Sequence, residues 1–216
     1  KNHYVESILP AQVGIAKKQP GGEINVVVVI DISESTGFGF SQGSSNTKID
    51  VEKSLASNIL NQLPQEYKVA VVAFNHRGFV LSQLAPLSEQ YNLSRRIASL
   101  KDTGGTLVSA GLQKAANLLL KAGGSKNIIV ISDGITQMPG DAIAKAKELA
   151  SQGAKVFSVG VGENTDEAFM KLLAANGGGL YFRPSEAQRL SLVLGDTPDG
   201  KQETMSLLVL HTSHCI

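Results

Sequence analysis

With 216 residues and a formal net charge of +1, the chain has the size of one α/β domain, or of one domain with extra ends. The near-neutral balance, with no basic run longer than two residues, excludes a broad nucleic-acid footprint. Its apolar runs fall far short of the ~20 residues a spanning helix needs, so this segment itself is expected to make no membrane contact. Cys215 is the single cysteine, which excludes an internal disulfide and a cysteine metal cluster and leaves the compartment undetermined.

Residues 1–23 read as an N-terminal arm, in which Val5 to Leu9 and Val13 to Ala16 form short strands or lie across the domain. Pro20-Gly21-Gly22 breaks the chain before the first strong strand, at 24–30. This strand is the run Val26-Val27-Val28-Val29-Ile30, which leads into Asp31-Ile32-Ser33-Glu34-Ser35. A continuous β-branched run suits a strand buried on both faces. Residues 36–47 are rich in Gly, Ser, Thr and Asn and read as a long loop. Helical spacing follows from Ile49 to Leu63, and Pro64 stops it. Lys68 to Phe74 reads as a strand, Asn75 to Gly78 as a turn, and Phe79 to Leu84 as the return strand of a hairpin.

A helix is predicted over about 88–100. Asn92-Leu93-Ser94 matches a glycosylation sequon, but a helix start is the plainer reading. Thr103 to Thr106 reads as a tight loop and Leu107 to Lys121 as a long helix with a core-facing Leu and Ala stripe. A strand at 127–132 closes on Asp133-Gly134, and a helix follows at about 140–152. Then come a strand at 156–161, a helix at 166–175, a short strand at 180–182 and a helix at about 185–194. Gly177-Gly178-Gly179 precedes a strand, not a helix, so it lacks the dipole of a phosphate loop. Residues 195–216 read as a linker and the start of a following segment, with a strand at 205–210. The alternation predicts an α/β fold: a doubly wound, mostly parallel sheet with one antiparallel edge strand and helices on both faces, over 24–194.

In such a sheet the binding crevice lies beyond the carboxyl ends of the strands. Three loops with oxygen side chains meet there: Asp31, Ser33 and Ser35 on the first, Thr106 on the second, Asp133 on the third. Hydroxyls and carboxylates are hard donors, and Mg²⁺ takes about six oxygens while keeping several waters. Two formal charges and three neutral hydroxyls leave such an ion electrophilic, open to a carboxylate from outside. No His or Cys spacing suggests zinc.

This pattern resembles the von Willebrand factor type A domain. Asp31-Ile32-Ser33-Glu34-Ser35 matches that family's metal motif, Thr106 its lone threonine, and Ser132-Asp133-Gly134 its second aspartate. Val69 to Phe74 followed by a hairpin fits as well. The resemblance implies that Asp31, Ser33, Ser35, Thr106 and Asp133 ligate Mg²⁺ or Mn²⁺, directly or through water. It further implies a protein partner that offers a Glu or Asp. In relatives that switch affinity the last helix moves, which would couple the site to 185–194. One departure is Glu34, where bacterial members often carry Gly. Glu34, Phe38, Phe40, His76 and Arg77 are candidates for a partner-binding rim. The start and tail also resemble the flanks of this domain in large bacterial proteins with membrane helices. Together with the first residue, Lys1, they suggest excision from a larger, membrane-anchored parent.

The alternative is a hydrolase of the phosphatase type with Asp31 as nucleophile. That chemistry needs a second carboxylate two positions on to protonate the leaving group, and Ser33 stands there. No glycine-rich dinucleotide turn follows the first strand, and no His is placed to activate Ser33 or Ser35. The balance favours binding over catalysis.

Overall fold

A computed structural model describes residues 22–39, 47–183, 190–196 and 202–207. Phe40, Cys215 and the arm over 1–21 therefore lie outside the described residues.

Strand β1 (Ile24–Asp31) is the centre of the molecule. Residues 26–30 are fully buried, and the strand feeds two cores in alternation. Val26, Val28 and Ile30 face one, Val27 and Val29 the other. The long loop opens with a 3-10 turn, Glu34–Gly37. Helix α1 (Lys48–Gln62) then starts on a capping box. The Asp50 amide donates to Thr47 Oγ1 and the Thr47 amide to Asp50 Oδ2, so two orphan donors of the first turn are satisfied.

Strand β2 (Lys68–Phe74) lies parallel to β1, and β3 (Gly78–Pro86) returns antiparallel as the edge. Register shifts between Val69 and Val72 disturb the β2–β3 ladder, and the Ser82 hydroxyl accepts the Val71 amide there. The helix expected over 88–100 is shorter. A 3-10 turn at Leu87–Glu89 precedes α2 (Leu93–Ala98). Asn92 between them has φ 59°, a left-handed conformation that no continuous helix passes through. It stands at a helix start, as the plainer reading of its triplet has it.

Helix α3 (Val108–Leu119) crosses the sheet to β4 (Ser125–Ser132) on the far side of β1. Helix α4 (Pro139–Ser151), β5 (Ala154–Gly160), α5 (Glu167–Asn176) and β6 (Gly178–Phe182) complete the series. The sheet order is β3-β2-β1-β4-β5-β6. Helices α1 and α2 cover one face, and α3, α4 and α5 the other. Glycines 177 and 179 serve close packing: a Cβ on Gly177 would stand 2.4 Å from Val156 Cβ, and one on Gly179 2.3 Å from the Val156 carbonyl oxygen.

The helix expected at 185–194 is corrected. Leu190–Asp196 is strand β7, paired antiparallel with β8 (Gln202–Leu207). Leu190, Leu192 and Leu194 recur every second residue, a strand period, and Gly195 suits a helix poorly. A coupling through a helix at 190–194 therefore has no helix to act through. Among the described residues no helix is long and apolar enough to cross a membrane.

The chain leaves β1 in one direction, through β2 and β3, and comes back to β4 on β1's other side. The topological switch point thus lies between β1 and β4, where open α/β sheets place their crevice.

Candidate metal centre

Asp31 is the last residue of β1 and is fully buried. Both of its carboxylate oxygens are engaged. Oδ1 accepts the Ser33 amide at 2.8 Å, and Oδ2 accepts the Ser132 hydroxyl at 2.6 Å. Ser132, which ends β4, in turn accepts the Gly134 amide at 3.0 Å. Burial pushes the Asp31 carboxyl up from 3.8 to about 6, against the pull of the Ser132 and Ser33 hydrogen bonds.

The 3-10 turn begins immediately after Ser33. Its carbonyl accepts both the amide and the hydroxyl of Thr36. This tight turn brings the hydroxyls of Ser33 and Ser35 to 3.1 Å from one another. It leaves the Glu34 side chain exposed, while the Glu34 amide donates to the Gly104 carbonyl at 2.8 Å. The first and second loops are therefore bound together.

Asn75 fixes the second loop from below. It is buried at the end of β2; its Nδ2 donates to the Thr103 carbonyl at 2.9 Å, and its own carbonyl accepts the Leu107 amide at 2.9 Å. Between these points Gly104 takes φ +74°, and a Cβ there would stand 2.7 Å from His76 Nδ1. Thr106 is thus held near-buried, and its carbonyl accepts the Gln137 amide from the third loop at 2.9 Å. Ser35 and Thr106 line one shallow cavity with Glu34, Phe38 and Ile135.

Asp133 follows β4 and is fully buried. Its Oδ1 accepts the Ile135 amide at 3.0 Å. Its Oδ2 lies 2.8 Å from Lys48 Nζ, in an ion pair whose lysine side chain is only 8% exposed. One helical turn along α1, Glu52 is also fully buried, and neither of its carboxylate oxygens has a hydrogen-bond partner. Burial, and then the negative charges of Asp31 and Asp133, push the Glu52 carboxyl well above the ordinary glutamate range; Lys48 offsets this only in part.

Of the residues predicted from sequence, Asp31, Ser33 and Ser35 share one turn. Asp133 follows the neighbouring strand, and Thr106 is tied to both loops. Phe38, Glu34, His76 and Arg77 are exposed on the same edge of the sheet, with His76 against Gly104. Sequence reasoning missed Lys48, Glu52 and the bridging role of Ser132. It also missed Ile135 and Met138, exposed apolar residues on the third loop. Lys48 and Glu52 carried a signal: they continue the buried stripe of Leu55, Ala56 and Ile59 upstream, at helical spacing, with charges where the stripe calls for apolar residues.

The donor set suits a hard divalent cation. Two buried carboxylates and a pair of adjacent hydroxyls offer oxygen only, and the buried Lys48 ammonium pairs with one of the carboxylates, Asp133. Among the described residues no group of three or more His, Cys, Asp and Glu has metal-holding geometry, so a cation here would rest on two carboxylates and on hydroxyls.

The model of the von Willebrand factor type A domain matches residues 25–195 of the chain. A Synechocystis protein described only as uncharacterized is 24% identical over 171 residues, covering 76% of this chain and 39% of that protein. The chain thus spans well under half the length of this relative. An aerotolerance-related membrane protein from Bacteroides fragilis superposes with a TM-score of 0.65 at 23% identity, over 74% of this chain and 90% of that one. The manganese-loaded TRAP protein of Plasmodium vivax gives 0.61 at 17% identity, over 71% of this chain and 63% of the other. At these identities the likeness of structures shows the fold alone.

Proposed function

The chain belongs to the von Willebrand factor type A family, and on that premise we propose that it is a protein-binding module that captures an acidic side chain of its partner through a divalent cation. One observation carries this reading: the Ser33 and Ser35 hydroxyls stand 3.1 Å apart beside buried Asp31, at the switch point of the sheet. Asp31, Ser33, Ser35, Thr106 and Asp133 would hold Mg²⁺ or Mn²⁺, directly or through water. The bound ion supplies an electrophilic position for an outside Glu or Asp. The manganese reported for the Plasmodium relative supports this choice of ion.

The chain's own residues do the rest. Ser132 and the Ser33 amide fix Asp31, so that its oxygens are oriented before any ligand arrives. Asn75 and the Glu34–Gly104 bond hold Thr106 against the first loop. Phe38, Ile135 and Met138 are 68%, 50% and 66% exposed around this edge and offer apolar contact to a partner. Membrane attachment through segments beyond these residues belongs to the same proposal, supported by the Bacteroides relative described as a membrane protein.

Binding is favoured over phosphatase-type catalysis by the residue two positions beyond Asp31. Ser33, two positions on, has no proton to give at the strength a leaving group requires.

The test joins calorimetry to capture. Mg²⁺ and Mn²⁺ should give binding heats with the wild type and none with Asp31→Ala. A partner retained in Mg²⁺ should be released by chelator and not retained by Asp31→Ala. Equal heats in both proteins, or retention indifferent to chelator, would overturn the proposal.

A further inference from the structure

Lys48 is an unusual residue for its place. It is the first residue of α1, where the helix dipole disfavours a cation. It is buried, which costs an ammonium several kcal/mol unless it is paired. Its stem is confined: a Cβ on Gly162 would stand 3.0 Å from Lys48 Cε. What it gains is Asp133, at 2.8 Å. Glu52 is equally unusual, a fully buried carboxylate with no hydrogen bond to either oxygen. The two stand four positions apart, so they lie on the same face of α1. Among the described residues no group of three acids has metal-holding geometry.

We propose that Lys48 is the site's own cation: its ammonium neutralises Asp133 while no divalent cation is bound, and turns to Glu52 when a divalent cation takes Asp133. This rests on the metal-binding reading above and adds the residues that set how tightly the ion is held. Charge accounting supports it. With Lys48 on Asp133, the buried aspartate is compensated. With a divalent cation between Asp31 and Asp133, the displaced ammonium would be a buried, unpaired charge unless an acceptor lay within its reach. Glu52 is that acceptor, one turn away on the same helix. Lys48 therefore competes with the metal, and Glu52 reduces the cost of that competition.

A double-mutant cycle on Mg²⁺ affinity tests this, with calorimetry on the wild type, Lys48→Met, Glu52→Gln and the double variant. Lys48→Met should tighten Mg²⁺ binding and Glu52→Gln weaken it, each by roughly tenfold, the scale of coupling between contacting residues. In the Lys48→Met background, Glu52→Gln should change affinity little, because no ammonium needs the acceptor. A Glu52→Gln loss of the same size in both backgrounds would overturn the relay and make Glu52 an independent attractor of the ion. Unchanged or weaker binding by Lys48→Met would overturn the competition. Heat in the wild type with either of these results leaves the metal site standing. No heat in the wild type and none in Lys48→Met removes the metal site and the relay together. If Lys48→Met does not fold, Lys48→Gln, which keeps a hydrogen-bond donor for Asp133, takes its place in the cycle.

Discussion

Lys48 Nζ lies 2.8 Å from Asp133 Oδ2, joining the first turn of α1 to the end of β4 in a buried ion pair. Truncating one partner of such a pair leaves the other charge buried and unpaired, at a cost of about 3–5 kcal/mol. Lys48→Met should therefore lower stability by about that amount in metal-free buffer, read as a shift of the urea midpoint at constant slope. Saturating Mg²⁺ should narrow the deficit, because the ion then compensates Asp133. A variant as stable as the wild type in metal-free buffer would show that the pair contributes nothing.

Asp31 gives the metal-free protein a specific pH dependence. Its carboxyl is raised from 3.8 to about 6 by burial, so below about pH 4 it is protonated both folded and unfolded. Between these values the unfolded chain gives up the proton and the folded one keeps it, so the Asp31 contribution falls as pH rises and levels off above about 6. Asp31→Asn removes this slope. It should gain stability relative to the wild type across that window, by on the order of 3 kcal/mol. Urea melts at several pH values in metal-free buffer measure the difference; a constant offset between the two proteins would contradict it.

Asn75 links β2 to the loop that carries Thr106 through two hydrogen bonds from buried positions. Asn75→Ala should cost about 1–3 kcal/mol, from the Thr103 carbonyl left without its side-chain donor and the Arg77 amide left without Oδ1. Amide exchange over residues 103–107 should accelerate more than exchange in β1 and β4. Uniform acceleration would mean that the residue supports the whole domain and not this loop.

Gly111 lets α3 press onto the sheet beneath the site. A Cβ there would stand 2.8 Å from Val29 Cγ1 and 2.9 Å from Phe74 Cδ1. Gly111→Ala should destabilise by about 1–3 kcal/mol despite alanine's better helix propensity, because the packed core resists the extra methyl. A more stable variant in thermal or urea unfolding would show that α3 is free to move outward.

The exposed apolar rim separates partner binding from ion binding. Phe38→Ser and Met138→Ser should leave the Mg²⁺ heat unchanged and weaken retention of a captured partner, since both side chains are largely exposed around the site. Retention equal to that of the wild type in both variants would move the interface away from this edge.

Much of this architecture is legible in the chain itself. The β1 run, the Lys68–Phe74 strand with its return, and the alternation of strand and helix all appear as predicted, because period and β-branching act between near neighbours. The order Asp31-x-Ser33-x-Ser35 is equally local: a 3-10 turn closes over three residues and fixes where both hydroxyls go. The final segment misled because a helix there would complete the alternation, whereas its leucines recur at a strand period and the segment pairs with β8.

The sequence by itself determined the succession of strands and helices and the oxygen side chains on the loops between them. Only the tertiary structure decided their electrostatics. Lys48 and Asp133 are separated by 85 positions, and nothing local couples them. They meet because α1 packs against β1 and β4, where Asp31, Lys48, Glu52 and Asp133 are all buried. Coulomb energy depends on distance and on the surrounding dielectric, and both are properties of the packed fold. The motif places the oxygen side chains, and the burial of Lys48 and Glu52 sets the charge around them.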